Sequence, residues 1–363
     1  MNMEEEILAG GVQEAENDGS VSPGRREDFK KVCFKLGLMM TAVFVFRGIA
    51  SVLLALISPK LEGLGDTGSY LVETAVSLVF LYALPMGFTV WLMKEPTKET
   101  RSRIYSKPVY FSNAMGLFPA FYGISILTNL ITMLIGSLFS ETDLNRSFNT
   151  VNELSADNMT CAAVLFVQLA VIAPIFEELW FRGIVMESLR PYGNGFAIFV
   201  SALLFGLTHA NFQQFFYATA LGICLGYIAQ ATKSIVTTTV MHAIFNSISG
   251  VLLIFISTDE VKDYLIGTMR GETAVKGAVV TAYTVYLTFI LLLMAVGVLM
   301  FLFKLRKIKR YRVPKVWTEL TTGQRWGVFL SRASVIVMLV LAADTFTFRL
   351  IPTFIVKLVT GNL

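Results

Sequence analysis

The sequence predicts an all-α fold: a polytopic membrane bundle of about eight to nine transmembrane helices, built as one membrane domain over residues 31–363. Three observations predict it. First, 55% of the 363 residues are hydrophobic and 15% are charged, with a mean hydropathy of +0.64, a balance far from that of soluble domains. Second, apolar runs recur along the chain, most of them near the roughly 20 residues that a helix needs to cross a bilayer. Third, the polar connections between them alternate in charge, as inner and outer loops do.

The elements follow in order. Residues 1–30 are polar, rich in Gly, Glu and Asn, and are expected to form a disordered tail. The acidic start Met1-Asn2-Met3-Glu4-Glu5-Glu6 does not have the basic character of a cleavable signal peptide. Apolar stretches then occupy 33–58, 70–93, 110–138, 161–189, 195–210, 212–231, 234–257, 278–304 and 328–358. The fifth is the shortest. The ninth is long and interrupted by Asp344, Arg349 and Pro352, so a broken or partly interfacial segment is expected there. Pro174 is expected to kink the fourth helix. Ala218, Gly222 and Gly226 form a small-xxx-small face that lets the sixth helix approach a neighbour closely.

Charge placement orients the map. Arg25, Arg26, Lys30, Lys31 and Lys35 precede the first span, Lys94 to Lys107 supply five cations between the second and third, and Lys304 to Arg325 supply eight after the eighth. The alternate connections carry Glu62 and Asp66, then Glu141, Asp143, Glu153 and Asp157, then Asp259, Glu260, Asp263 and Glu272. The positive-inside rule then places the N-terminus in the cytoplasm, and nine spans would put the C-terminus outside. The expected setting is a multi-pass integral protein, with the plasma membrane as its site. The partners this implies begin with the lipid bilayer. No basic patch interleaved with aromatics suggests nucleic acid. The three cysteines (Cys33, Cys161 and Cys224) lie in or at apolar runs, in neither a metal spacing nor a disulfide framework.

Ionisable groups at bilayer depth are costly and mark function. The chain has two histidines, and each lies in an apolar run: His209 in Phe205-Gly206-Leu207-Thr208-His209 and His242 in His242-Ala243-Ile244-Phe245-Asn246. A third run carries Phe176-Glu177-Glu178-Leu179-Trp180-Phe181-Arg182. Glu178 and Arg182 stand at i, i+4 with the acid first, the favourable order for a helical ion pair. Glu177 points about 100° away on the same helix and has no local cation, which makes it a candidate general base. His242 and Asn246 share one helix face, so they could donate to the oxyanion of a tetrahedral intermediate. Alternatively, Glu177, His209 and His242 could bind zinc as a three-ligand catalytic site. By helical rise, Glu177, His209, His242 and Asn246 fall roughly 12–20 Å into their segments, a shared layer near mid-membrane. Other protease signatures fail: no His-Glu-x-x-His helix occurs, Ser247-Ile248-Ser249-Gly250 lacks the first glycine of a serine elbow, and Asp66 of Gly63-Leu64-Gly65-Asp66 lies in a polar loop.

Together and in this order, Glu177-Glu178…Arg182, Phe205…His209 and His242…Asn246 resemble the CAAX protease and bacteriocin-processing (CPBP) family of intramembrane proteases, which includes the Ras-converting CAAX endopeptidase. That family is marked by Glu-Glu-x-x-x-Arg, Phe-x-x-x-His and His-x-x-x-Asn or Asp. The resemblance covers residues 161–257 and leaves the tail and outer helices unexplained. It implies that Glu177 activates water with the help of His209, that His242 and Asn246 form the oxyanion hole, and that Glu178 and Arg182 support them. It implies a membrane-associated or prenylated peptide or protein as substrate. Both metallo- and metal-free mechanisms are argued for the family. Asn246, a poor zinc ligand and a good oxyanion donor, favours the metal-free one. Two other readings use the same residues. One is a non-catalytic protein on this scaffold, conferring bacteriocin self-immunity or acting as an accessory subunit. The other is a transporter with a proton relay, which the absence of an inverted repeat in the hydropathy disfavours.

Overall fold

Every regular element among the described residues (25–94, 111–137, 159–271, 277–305, 320–347 and 357 of a computed structural model) is helical. The helices are α1 (Arg25–Leu61), α2 (Gly65–Leu92), α3 (Phe111–Gly136), α4 (Met159–Tyr192), α5 (Asn194–Thr208), α6 (Phe212–Thr232), α7 (Ile235–Ser257), α8 (Asp259–Met269), α9 (Ala278–Leu305), α10 (Thr322–Leu330) and α11 (Ala333–Thr347). Seven are long and apolar enough to cross a membrane, and the α10–α11 pair makes an eighth if counted as one span. The chain is an integral multi-pass membrane protein of helical-bundle class.

The structure refines the span map at two places. The fifth apolar run is only the 15-residue α5, about 22 Å long, too short for a ~30 Å hydrocarbon layer. The final run is broken, as expected, but by a 74° bend between α10 and α11 at Ser331-Arg332, ahead of Asp344. Arg349 and Pro352 lie outside the described residues, as do residues 1–24. α1 begins at Arg25, inside the tail drawn to residue 30. The acidic connection after α7 holds a helix of its own, α8, with Asp259 and Glu260 in its first turn, where acids favour the helix dipole.

The packing places α4 centrally. α5 and α7 pack on it, α6 fills between α5, α7 and α3, α9 lies on α3, and α1 packs on α2 and α11. One apolar core joins α1, α4, α5, α10 and α11 around Phe29, Met39, Phe181, Phe205 and Phe329. A second joins α3, α6, α7 and α9 around Tyr122, Leu225, Phe245 and Ile290. On α9, Val285, Phe289, Leu292, Val296, Leu299 and Phe303 form an outward apolar stripe, each more than half exposed. Such a face suits lipid contact.

The close approach expected of α6 is present. A Cβ on Gly222 would sit 2.9 Å from Cα and Cβ of Ala202 on α5, so the backbones touch where Ala202 cannot yield. Gly222→Leu is therefore expected to overpack this seam, at a cost of about 1–3 kcal/mol. Thermal unfolding of the purified protein in detergent reads it. Gly48→Leu, whose Cβ would meet nothing within 4 Å, should melt like wild type; equal melting of all three would refute the close approach.

Candidate active site

Helix α4 is not a regular α-helix, and its irregularities build the site. Its Gln168–Ile172 and Glu178–Met186 stretches are π-helical, a rare register that is frequent at functional sites. Within the first stretch the Ala173 N–H bonds to the Gln168 carbonyl, five residues back. In that register the donor for Leu169 would come from Pro174, which has no N–H. Asn246 of α7 supplies it, donating from Nδ2 to the Leu169 carbonyl at 2.9 Å. Pro174 thus frees a carbonyl and an amide 77 residues away satisfies it, clamping α7 to α4. One of the two Asn246 N–H donors is spent on this bond.

Beyond the proline, the two glutamates diverge as their spacing requires. Glu178 is fully buried, and its Oε1 meets both Arg182 Nη1 at 2.9 Å and His242 Nδ1 at 3.0 Å. Arg182 is equally buried, donates from Nη2 to the Gly222 carbonyl at 3.2 Å, and lies 4.7 Å over the Phe205 ring. Glu177 keeps 16% of its side-chain surface, and its Oε2 lies 3.6 Å from His242 Nε2. The Glu178–Arg182 pair is thus as expected. His242, however, stands between two carboxylates on one face of the site.

The proton positions follow from the partners. A carboxylate held by an arginine can only accept, so His242 Nδ1 carries the hydrogen it gives to Glu178. Its Nε2 then either is protonated, making His242 an imidazolium between two acids, or is a lone pair facing Glu177. His242 can donate to an oxyanion only in the first state.

His209 closes the other side. It caps the C-terminal end of α5, and its Nδ1 lies 3.0 Å from the Phe205 carbonyl. A carbonyl cannot donate, so Nδ1 carries the hydrogen and Nε2 is left as an acceptor. No hydrogen bond joins His209 directly to Glu177; the Phe205 ring packs roughly perpendicular to both histidines, at 5.0 and 5.6 Å. The turn after His209 is held firmly. Ala210 adopts φ +57°, a left-handed conformation that costs a non-glycine residue about 1–2 kcal/mol. Asn211 compensates by donating to the His209 carbonyl at 3.1 Å and accepting from the Gln214 N–H at 2.8 Å, which starts α6.

Two further residues border this site without belonging to any motif. Tyr82 lies in a π-helical stretch of α2, Val79–Ala83; its ring contacts Phe176 at 5.6 Å and its hydroxyl lies near Glu177. Arg47 of α1 donates from Nη1 to the Thr208 carbonyl at 2.7 Å, at the C-terminal end of α5 where a cation is favoured. The sequence marks Arg47 only as an intramembrane charge, and nothing local marks Tyr82. Arg47→Met should loosen the α5 terminus and, if the site is catalytic, reduce kcat about tenfold with KM little changed. Arg47→Lys should restore part of it, and steady-state kinetics of the three proteins would show whether it does.

The residues that keep some access are Glu177, His209 and Asn246, while Glu178, Arg182 and His242 are buried beneath them. Asp66 is exposed and Ser247 bonds to the Ala243 carbonyl of its own helix, so neither alternative signature reaches this cluster. The three cysteines are buried thiols. For zinc, no group of three or more His, Cys, Asp and Glu side chains among the described residues is placed to hold an ion. Glu177, His209 and His242 do not form such a set. The donors therefore do not fit the expected zinc site as arranged.

Comparison with known proteins meets this same segment. Residues 160–248, which contain all three motifs, match the family described as type II CAAX prenyl endopeptidase Rce1-like. The chain is also 26% identical over 110 residues to YdiL of Bacillus subtilis (strain 168), a protein provisionally named a membrane peptidase. That likeness spans 30% of this chain and 43% of the relative, less than half its length. No solved structure matches significantly. The family assignment carried by the three motifs is supported for the segment that holds them.

Proposed function

We propose that the chain is an intramembrane endopeptidase, hydrolysing a peptide bond of a membrane-associated or prenylated substrate by direct attack of water. The observation that carries this reading is the graded burial of the cluster: a sealed Glu178–Arg182–His242 network beneath a partly accessible Glu177. A charged network of that kind is retained in a membrane interior where it serves a site.

The chemistry assigns each group a task. Glu177 accepts a proton from water as the water oxygen attacks the scissile carbonyl. His209 Nε2 accepts the other water hydrogen and orients it. The remaining N–H of Asn246, with His242 when its Nε2 is protonated, donates to the oxyanion. The tetrahedral intermediate collapses as the proton on Glu177 passes to the leaving nitrogen, so the C–N bond breaks with no covalent acyl-enzyme. Glu178 and Arg182 fix the His242 ring and touch no substrate. Orientation of the N-terminus to the cytoplasm would place the cleaved bond in the cytoplasmic half of the plasma membrane.

The test compares purified, reconstituted wild type with His209→Ala and Glu177→Ala on a library of prenylated and plain membrane peptides, read by mass spectrometry. Products from wild type alone would support the reading and locate the bond. Equal products from all three would sink the assigned roles. Products from none would favour the non-catalytic scaffold.

A further inference from the structure

At the far end of α1 from Glu62, an open groove of about 580 Å³ runs between the start of that helix and the α10–α11 bend. Lys30, Lys31, Lys35 and Arg332 line it, with Ser331 and the ring of Phe34. A single carboxylate, Glu27, shares the groove, and Lys30 holds it in an ion pair. Lys31 pairs with Asp28 at 3.3 Å. Lys35 and Arg332 have no carboxylate partner among the described residues. Arg332 is pre-set instead, with Nε on the Val328 carbonyl and Nη2 on the Ser331 hydroxyl.

The setting identifies the ligand chemistry. Helix α10 turns 74° from α11 and carries Trp326 and Arg325, the latter donating to the Tyr192 carbonyl at the end of α4 at 2.9 Å. Trp and Arg on a short helix bent away from a span mark a membrane–water interface. Lys35 lies where the apolar run of α1 begins. The groove is therefore at headgroup depth. Its walls continue into exposed apolar side chains, Phe34 on α1 and Ile336 and Val337 on α11, which would meet acyl chains. Cations at headgroup depth above an apolar wall suit an anionic lipid, and no free carboxylate lines the groove to hold the ammonium of a zwitterionic one.

We propose that this groove binds the phosphate headgroup of an anionic phospholipid and clamps α1 to the α10–α11 bend. The proposal is independent of the protease reading. It is tested on the full chain by native mass spectrometry in mild detergent, with phosphatidylglycerol and phosphatidylcholine of the same acyl chains. Wild type should retain the anionic lipid in preference. Each cation removed should weaken retention about fivefold, so Lys35→Gln/Arg332→Gln should lose roughly 25-fold. Ala333→Trp, which narrows the groove and keeps the cations, should lose it as well. Lys60→Gln, an exposed cation at the other end of α1, should behave as wild type, and millimolar inorganic phosphate should not compete. Equal retention of both lipids, an equal loss in Lys60→Gln, displacement by inorganic phosphate, or undiminished binding in the double variant would each overturn it.

Discussion

Glu177→Gln is expected to lower turnover by about 10²–10⁴-fold, the range that a positioned general base supplies, while the protein melts as wild type does. The two side chains have the same shape. A glutamine amide can still meet His242 Nε2, which lies 3.6 Å from the carboxylate, and can still sit beside Tyr82. What it cannot do is take a proton from water. Glu177 also keeps part of its surface, whereas its neighbour Glu178 keeps none, so the substitution disturbs no sealed ion pair. Single-turnover cleavage and thermal unfolding, measured on the same preparation, separate chemistry from folding. Turnover within tenfold of wild type would remove Glu177 from the role of base. A collapse of the melting temperature would instead make it a structural acid.

The parts of this molecule visible in the sequence are those set by short periods. The Glu178–Arg182 pair follows from i, i+4 geometry, the span map from apolar length, and the shared depth of Glu177 and His242 from helical rise. Their 3.6 Å approach shows that the two groups meet. What the sequence hides depends on backbone register or on distant partners. Pro174 signals a kink, but not that the Leu169 carbonyl is freed and that Asn246 answers it. That bond modifies the oxyanion reading, because the amide has one donor to give rather than two. His242 and Asn246 do share a face, yet the histidine ring is drawn toward the carboxylates of α4 by a contact spanning 64 residues. Arg47 and Tyr82 reach the site from α1 and α2, outside the matched segment. The bend of the final span comes at Ser331-Arg332, where no proline or glycine announces it, and the sequence points instead to the charges and proline further on.

Arg182→Met should be the most damaging single change to stability. The guanidinium makes three different contacts: Nη1 on Glu178, Nη2 on the Gly222 carbonyl, and its flat face over Phe205. Glu178 has no surface at all, so its charge cannot escape to water once the arginine is gone. Breaking one side of a buried pair costs about 3–5 kcal/mol, comparable to much of the stability of an ordinary domain. Arg182→Lys should rescue little, since a single ammonium cannot fork to two acceptors and lie flat on a ring. The informative variant is Arg182→Met/Glu178→Gln. Removing both charges leaves no orphaned ion, and the amide oxygen that replaces the Glu178 carboxylate can still accept from His242 Nδ1. The double variant should recover more than half of the stability lost by Arg182→Met, read as melting temperature and as monodisperse protein on size exclusion. If the pair is only a brace, cleavage should return along with the fold. If cleavage needs the charges themselves, the fold should return and cleavage should not.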